Sequence, residues 1–201
     1  MLLHALIPAS RANGPGLRAV VFFQGCTLGC LGCFNPATHA FQGKEVAVDA
    51  VARQVLQANA EHTLEGVTFS GGEPMQQAAS LLALMQRLRQ KAPALSFGMF
   101  SGYSERELTQ GQYWTWSHDS SEQFRRRLWR EVRACLDFAI LGRFQPAQPS
   151  SLPLRTSRNQ VMRLFSSHYT AQDFSRQFFE VIVHAGGRAE VTGFPSLGLP
   201  W

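Results

Sequence analysis

Three of the four cysteines stand within eight positions, at Cys26, Cys30 and Cys33 of "GCTLGCLGCFN", while Cys135 lies about a hundred residues away. Thiols crowded as C-x3-C-x2-C point first to a metal, because thiolates are the natural ligands of zinc and of iron-sulfur clusters. Structural zinc wants four closed ligands, and only His39 or the distant Cys135 could complete that set. A [4Fe-4S] cluster also has four irons, but an iron without a protein thiolate is an open position where a small molecule can bind. Disulfide exchange is the third chemistry, since Cys30 and Cys33 have C-x-x-C spacing, although it leaves Cys26 surplus. Gly25, Gly29 and Gly32 suit a loop wrapped closely around a bulky group, with amide N–H groups free to face sulfur. Spacing alone leaves all three chemistries open.

The loop must hang from something rigid. "RAVVFF" (18–23) is a β-branched and aromatic run that reads as a buried strand leading into the cysteines. A helix follows over 46–59, with Val48, Val51, Val55 and Leu56 on one face, and then a strand over 65–70 that ends in "GGEP". The pattern repeats with a helix over 76–91 (Leu81, Leu84, Met85, Leu88) and a strand over 95–101 punctuated by Gly102. An aromatic loop, "GQYWTW", precedes a helix that starts at Asp119, Ser120 and Ser121 and carries the stripe Phe124, Leu128, Val132 and Cys135. Cys135 is thereby placed in the core. A fourth strand covers 136–142, a short helix is expected around "NQVMRLF" (159–165), and 178–193 reads as an antiparallel hairpin turning at Ala185, Gly186 and Gly187. Alternating strands and helices predict parallel strands with right-handed crossovers, as an open sheet or a barrel fragment. The cysteines, GGEP, Ser101-Gly102-Tyr103 and Gly142-Arg143 all follow predicted strands, so they are expected to converge on one face.

Composition narrows the setting. With 201 residues and 45% hydrophobic content, one domain with a proper core is expected, and the clustered cysteines predict a reducing, cytoplasmic environment. The N-terminus resembles no signal peptide and no apolar run reaches membrane-span length, so no membrane association is expected. The net charge of +5 is carried by arginine, with Lys44 and Lys91 the only lysines; "FRRRLWR" (124–130) reads as a solvated helix face, and no nucleic-acid partner is expected. His4, His39, His62, His118, His168 and His184 are scattered singly and form no acid-base pair.

Five stretches together resemble the radical S-adenosylmethionine (SAM) enzymes, specifically the short activating enzymes of glycyl-radical proteins such as anaerobic ribonucleotide reductase. They are "GCTLGCLGCFNPATH" (25–39), "TFSGGEP" (68–74), "SGYSERELT" (101–109), "RTSRNQ" (155–160) and "EVTGFP" (190–195). The first two form a specific pair; the others are individually weak. The resemblance implies an α/β fold of partial (β/α) TIM-like barrel form with the C-terminal antiparallel hairpin. It implies a single domain over 1–201, with a family-atypical segment at 111–135. It also implies a [4Fe-4S] cluster on Cys26, Cys30 and Cys33, whose open iron SAM chelates. Gly71 and Gly72 would let the backbone approach the methionyl amine, Glu73 would accept its hydrogen bond, Phe34 beside Gly32 would lie near adenine, and Ser101 would join the cofactor site. Reductive cleavage of SAM would yield a radical that takes hydrogen from a glycine of the partner, with an electron donor such as a flavodoxin. Maturation of a peptide or small molecule is the alternative within this chemistry, and a zinc-bound interaction module using His39 is the alternative outside it. Where the family usually has Asp-Gly after the fourth strand, this chain has Leu141-Gly142.

Overall fold

Arg18–Phe23 forms strand β2 because its alternate residues have two different surfaces to cover: Ala19, Val21 and Phe23 join one apolar core, and Arg18, Val20 and Phe22 face the other way. The computed structural model describes residues 1–117, 119, 121–174, 179–183, 187 and 189–193. Strands β1 (Leu3–Ser10), β2, β3 (Gly66–Gly71), β4 (Ser96–Ser101), β5 (Phe138–Leu141) and β6 (Val161–Leu164) form one six-stranded sheet in chain order. The four central strands are parallel, with Arg18 opposite Gly66, Gly66 opposite Ser96 and Gly98 opposite Phe138; β1 and β6 are antiparallel edges. β7 (Phe179–Val183) and β8 (Ala189–Gly193) form the antiparallel hairpin expected at the C-terminal end. Ser120, His118, His184, Ala185, Gly186, Phe194 and Pro195, singled out in the sequence, lie outside the described residues.

Three helices supply the crossovers: α1 (Val48–His62), α2 (Ala78–Lys91) and α4 (Glu122–Cys135), with α2 packed against both others. α1 buries Val51, Ala52, Val55 and Ala58, α2 buries Leu81, Leu84, Met85 and Leu88, and α4 buries Leu128, Trp129 and Val132. Ser121 caps α4, its Oγ accepting the Phe124 N–H at 3.2 Å. A shorter helix, α3 (Glu105–Thr109), starts with a capping box in which Ser104 and Glu107 exchange hydrogen bonds. Among the described residues no helix is long and apolar enough to cross a membrane.

The other sheet face holds a second apolar cluster of Phe138, Ile140, Leu154, Tyr169 and Phe174. Arg18 is fully buried at its base. Its guanidinium donates to Thr68 Oγ1 at 2.8 Å, Ser96 Oγ at 2.9 Å, Tyr169 Oη at 3.1 Å and the carbonyls of Pro15, Val67 and Ser96 at 3.0–3.1 Å. Complete pairing is what lets an arginine remain there although burial lowers its pKa.

Two elements differ from expectation. The short helix expected over 159–165 is strand β6, paired antiparallel with β5, where Met162 packs on the second cluster while Val161, Arg163 and Leu164 are exposed. Seven residues are too few for apolar spacing to separate a helix from a strand. β1 has no counterpart in the sequence reading, because Pro8 and two register shifts interrupt its pattern; both are tolerated at a sheet edge. Cys135 is partly buried against the helix-side core, as expected. Cys135→Ala should cost about 1 kcal/mol in urea unfolding and leave metal content unchanged; loss of iron would place this thiol in the site instead.

Candidate active site

The parallel strands end on one side, and the loops that leave them enclose a cavity of ≈ 190 Å³. Cys26, Cys30, Cys33, Phe34, Gly71, Gly72, Glu73 and Ser101 all line it. Gly32 does not; it is exposed and makes a left-handed turn at φ 68°. Sheet alternation supplies the floor, since Phe22, Ser70, Phe100 and Ile140 project from the face opposite the helices.

The cysteine loop leaves β2 and is held by backbone. Cys26 N–H donates to His39 O at 2.9 Å, Gly25 N–H to Thr38 O at 2.7 Å, and Glu73 N–H to Gly25 O at 2.9 Å. Gln76, fully buried, adds side-chain ties: its Oε1 accepts Thr27 N–H at 3.0 Å, and its Nε2 donates to Thr27 Oγ1 at 2.7 Å and to Tyr103 Oη at 2.8 Å. The aromatic loop buttresses the same place. Trp116 N–H donates to Gln76 O at 2.7 Å, and Trp114 and Trp116 pack edge-on against Phe41 at 5.0 and 5.9 Å.

The glycines of GGEP serve this docking. A Cβ on Gly72 would lie 2.3 Å from Gly25 O, and one on Gly71 would lie 2.6 Å from Phe23 N. A side chain on Gly72 would push the turn after the third strand away from the cysteine loop, and one on Gly71 would push it away from the end of β2. By contrast, Gly29 is exposed and a Cβ there would meet nothing within 4 Å, so no close approach holds that position.

Glu73 is completely buried. Its Oε1 accepts Met75 N–H at 2.9 Å and Ser101 Oγ–H at 2.8 Å, and its Oε2 accepts Gly102 N–H at 2.7 Å, so the carboxylate joins the ends of β3 and β4. Burial pushes its pKa up to about 7, against the lowering effect of those donors and of the Arg143 charge. In the metal-free protein this sets a pH dependence. The folded state keeps its proton while the unfolded carboxyl loses one, so this group's contribution to stability falls as pH rises from about 4.5 to about 7 and is flat above. Urea unfolding across that range should show the fall, and Glu73→Gln should remove it.

The thiols are free, and burial raises the pKa of Cys26 to about 12 and that of Cys33 in the same direction. Reactive exchange cysteines have depressed values, so this environment does not suit that chemistry. Two amides already point at sulfur: Asn35 N–H lies 3.4 Å from Cys33 Sγ, and the Leu28 amide hydrogen-bonds Cys26. Such bonds stabilise thiolates once a metal has displaced the protons. Among the described residues no three His, Cys, Asp or Glu side chains converge on a single ion. His39 does not line the cavity, and its buried Nε2 has no hydrogen-bond partner among the described residues.

Other lining residues escaped the sequence reading. Thr156 and Gln160 belong to "RTSRNQ", and Gln160 Oε1 gathers Thr156 N–H, Thr156 Oγ–H and Ser157 N–H at 2.8–3.1 Å, folding that turn back toward Gly142. Phe144 packs on Phe34 with ring centroids 4.9 Å apart. Asn13 and Thr192 arrive from opposite ends of the chain. Leu141, which replaces the usual acidic residue, is buried in the helix-side core.

Comparison with known proteins agrees with this geometry. A family model described as a 4Fe-4S single cluster domain matches residues 12–163. The anaerobic ribonucleoside-triphosphate reductase-activating protein of Escherichia coli is 30% identical over 167 residues, covering 81% of this chain and 97% of that protein. Its counterpart in Vibrio cholerae is 27% identical over 171 residues, covering 83% and 99%. A glycyl-radical enzyme activating enzyme of Haemophilus influenzae shares 40% identity over 90 residues, 43% of this chain and 34% of that one. The solved structure of QueE from Escherichia coli aligns over 51% of this chain at 19% identity and a TM-score of 0.35, too slight a likeness to bear on the assignment. The family model's matched residues include the cysteine loop and GGEP, and on the match along nearly the whole length of the activating proteins the chain belongs to the family of anaerobic ribonucleoside-triphosphate reductase-activating proteins, built on a single-cluster 4Fe-4S domain.

Proposed function

We propose that this protein is a radical SAM activase that generates a glycyl radical on a partner enzyme, anaerobic ribonucleotide reductase, with a flavodoxin-type electron donor in the cytoplasm. The observation that carries the reading is the meeting of three cysteines and the GGEP turn in one cavity at the ends of parallel strands. Cys26, Cys30 and Cys33 hold the cluster in this reading, and the cavity they line and the sulfur-directed amides of their loop fit a bulky group. A cluster held by Cys26, Cys30 and Cys33 would supply one-electron reduction of the SAM sulfonium, breaking a carbon–sulfur bond to release methionine and leave a 5′-deoxyadenosyl radical that would take hydrogen from the target glycine and become 5′-deoxyadenosine.

The chain's own residues position and shield. Gly71 and Gly72 present backbone at the cavity wall, Ser101 and Gly102 keep the Glu73 carboxylate oriented, and Glu73 offers a remaining lone pair to the methionyl ammonium. Phe34, braced by Phe144 and next to Gly32, supplies an apolar surface for adenine. The architecture in this reading is the partial (β/α) barrel, one domain over 1–201, with 111–135 as the segment atypical of the family. Metal analysis of anaerobically purified protein tests the cofactor directly: about four irons and four sulfides per chain are expected, while stoichiometric zinc without iron would contradict the reading.

A further inference from the structure

The family model ends at residue 163, yet the cavity does not: Val191, Thr192 and Gly193 of β8 line it too. Hairpin register separates the two faces of this wall. Glu180 pairs with Thr192 across the strands, so their side chains share one face, and Phe179, Val181 and Val183 share the other, which is exposed.

The Glu180 and Thr192 face is tied to the β1–β2 connection. Asn13 Nδ2 donates to Thr192 Oγ1 at 2.7 Å and to Ser10 Oγ at 3.1 Å, and the Ala12 N–H also donates to Ser10 Oγ at 3.1 Å. With those acceptor sites taken, Ser10 has one proton left, and it goes to the Glu180 carboxylate. Both Glu180 oxygens also receive the Arg11 N–H at 3.0 Å. Ser10, Asn13 and Thr192 are all buried, at 1–3% exposure, so the bonds from Asn13 and Ala12 are shielded from water, while those to Glu180 lie at the edge of the network. The chain continues into the sheet, because Thr68 Oγ1 donates to Asn13 O at 2.8 Å and receives Arg18 Nε–H at 2.8 Å.

We infer that the C-terminal hairpin is the wall that completes the SAM cavity in this chain, and that Asn13, Glu180 and Thr192 are the positioning residues that hold it against the cavity floor. The inference rests on the SAM reading above. Its consequence is selective: loosening the wall weakens SAM binding and leaves the cysteine loop, at the far ends of the strands, intact.

Equilibrium dialysis of SAM against cluster-reconstituted protein, with iron content and melting temperature on the same samples, tests this. Glu180→Ala and Thr192→Val should each raise the Kd for SAM about tenfold, and raise KM with little change in kcat, at unchanged iron content and with a melting temperature lowered by no more than a few degrees. Thr192→Ser, which keeps the hydroxyl, should restore binding, and Val183→Thr on the exposed face should bind as the unmodified protein does. Unchanged SAM affinity in both Glu180→Ala and Thr192→Val would overturn the inference. So would iron loss parallel to SAM loss, because the residues would then serve the whole fold. Failure of the unmodified protein to hold iron or bind SAM would instead bring down the proposed function itself.

Discussion

Replacing Cys26, Cys30 or Cys33 with alanine should abolish reductive cleavage of SAM and strip the iron-sulfur chromophore, each by more than about a hundredfold relative to the unmodified protein. All three thiols line one cavity, and none has a substitute nearby: Cys135 sits beside the helix-side core and His39 lies outside the cavity lining. The thiols are also costly to ionise in this place, since burial holds Cys26 near 12 and raises Cys33. A metal must recover that cost through several bonds at once, so two remaining thiolates cannot retain the cluster. Iron and sulfide content measured with 5′-deoxyadenosine yield checks this. A single variant that keeps both would remove that residue from the ligand set.

The second large effect is expected at a residue that carries no functional group. Gly72→Ala places a methyl 2.3 Å from Gly25 O and 2.9 Å from Gly25 C, and both atoms belong to backbone that the Glu73 N–H already fixes at 2.9 Å. No rotamer relieves such a contact. The third strand's turn and the cysteine loop must separate, with a destabilisation of about 3 kcal/mol and loss of cluster retention. Gly29→Ala is the useful contrast, because its Cβ meets nothing within 4 Å and only its left-handed φ of 59° opposes the change, at about 1 kcal/mol. Equal behaviour of the two variants in urea unfolding and iron retention would show that GGEP does not dock the loop.

The parallel core was legible because its strands are short, apolar and buried on both faces. β2 matches its sequence run residue for residue, and β3, β4 and β5 begin or end within two residues of expectation. Parallel pairing followed from alternation with helices, and the site followed from strand ends, which explains why the cysteines, GGEP and Ser101 meet although dozens of residues separate them. Edges were harder. β1 hides behind Pro8 and its bulges, and β6 offers four residues of which only Met162 packs inward. The capping box at Ser104 and Glu107 was readable as a helix start, but five residues carry too little apolar periodicity to mark α3.

Within the site, chemistry-bearing side chains were visible and their supports were not. Arg18 reads as an unremarkable first residue of a strand, and nothing local announces that Thr68, Ser96 and Tyr169 will surround it. Asn13 and Thr192 meet across 179 positions, a pairing that only the folded topology creates. Gly71 and Gly72 were legible as glycines needed for close approach. The structure adds that the neighbour on the Cβ side of Gly72 is the cysteine loop's own backbone at Gly25, and that on the Cβ side of Gly71 is the backbone of β2 at Phe22 and Phe23.

The central claim is that Cys26, Cys30 and Cys33 leave one cluster iron for SAM, and that the resulting radical acts on a partner's glycine. It is tested most directly by anaerobic incubation of the reconstituted protein with dithionite, SAM and anaerobic ribonucleotide reductase, followed by electron paramagnetic resonance and quantification of 5′-deoxyadenosine. The expected result is a glycyl radical doublet on the partner accompanied by 5′-deoxyadenosine, both absent from Cys33→Ala. Intact SAM in the presence of a fully loaded, reduced cluster would contradict the claim.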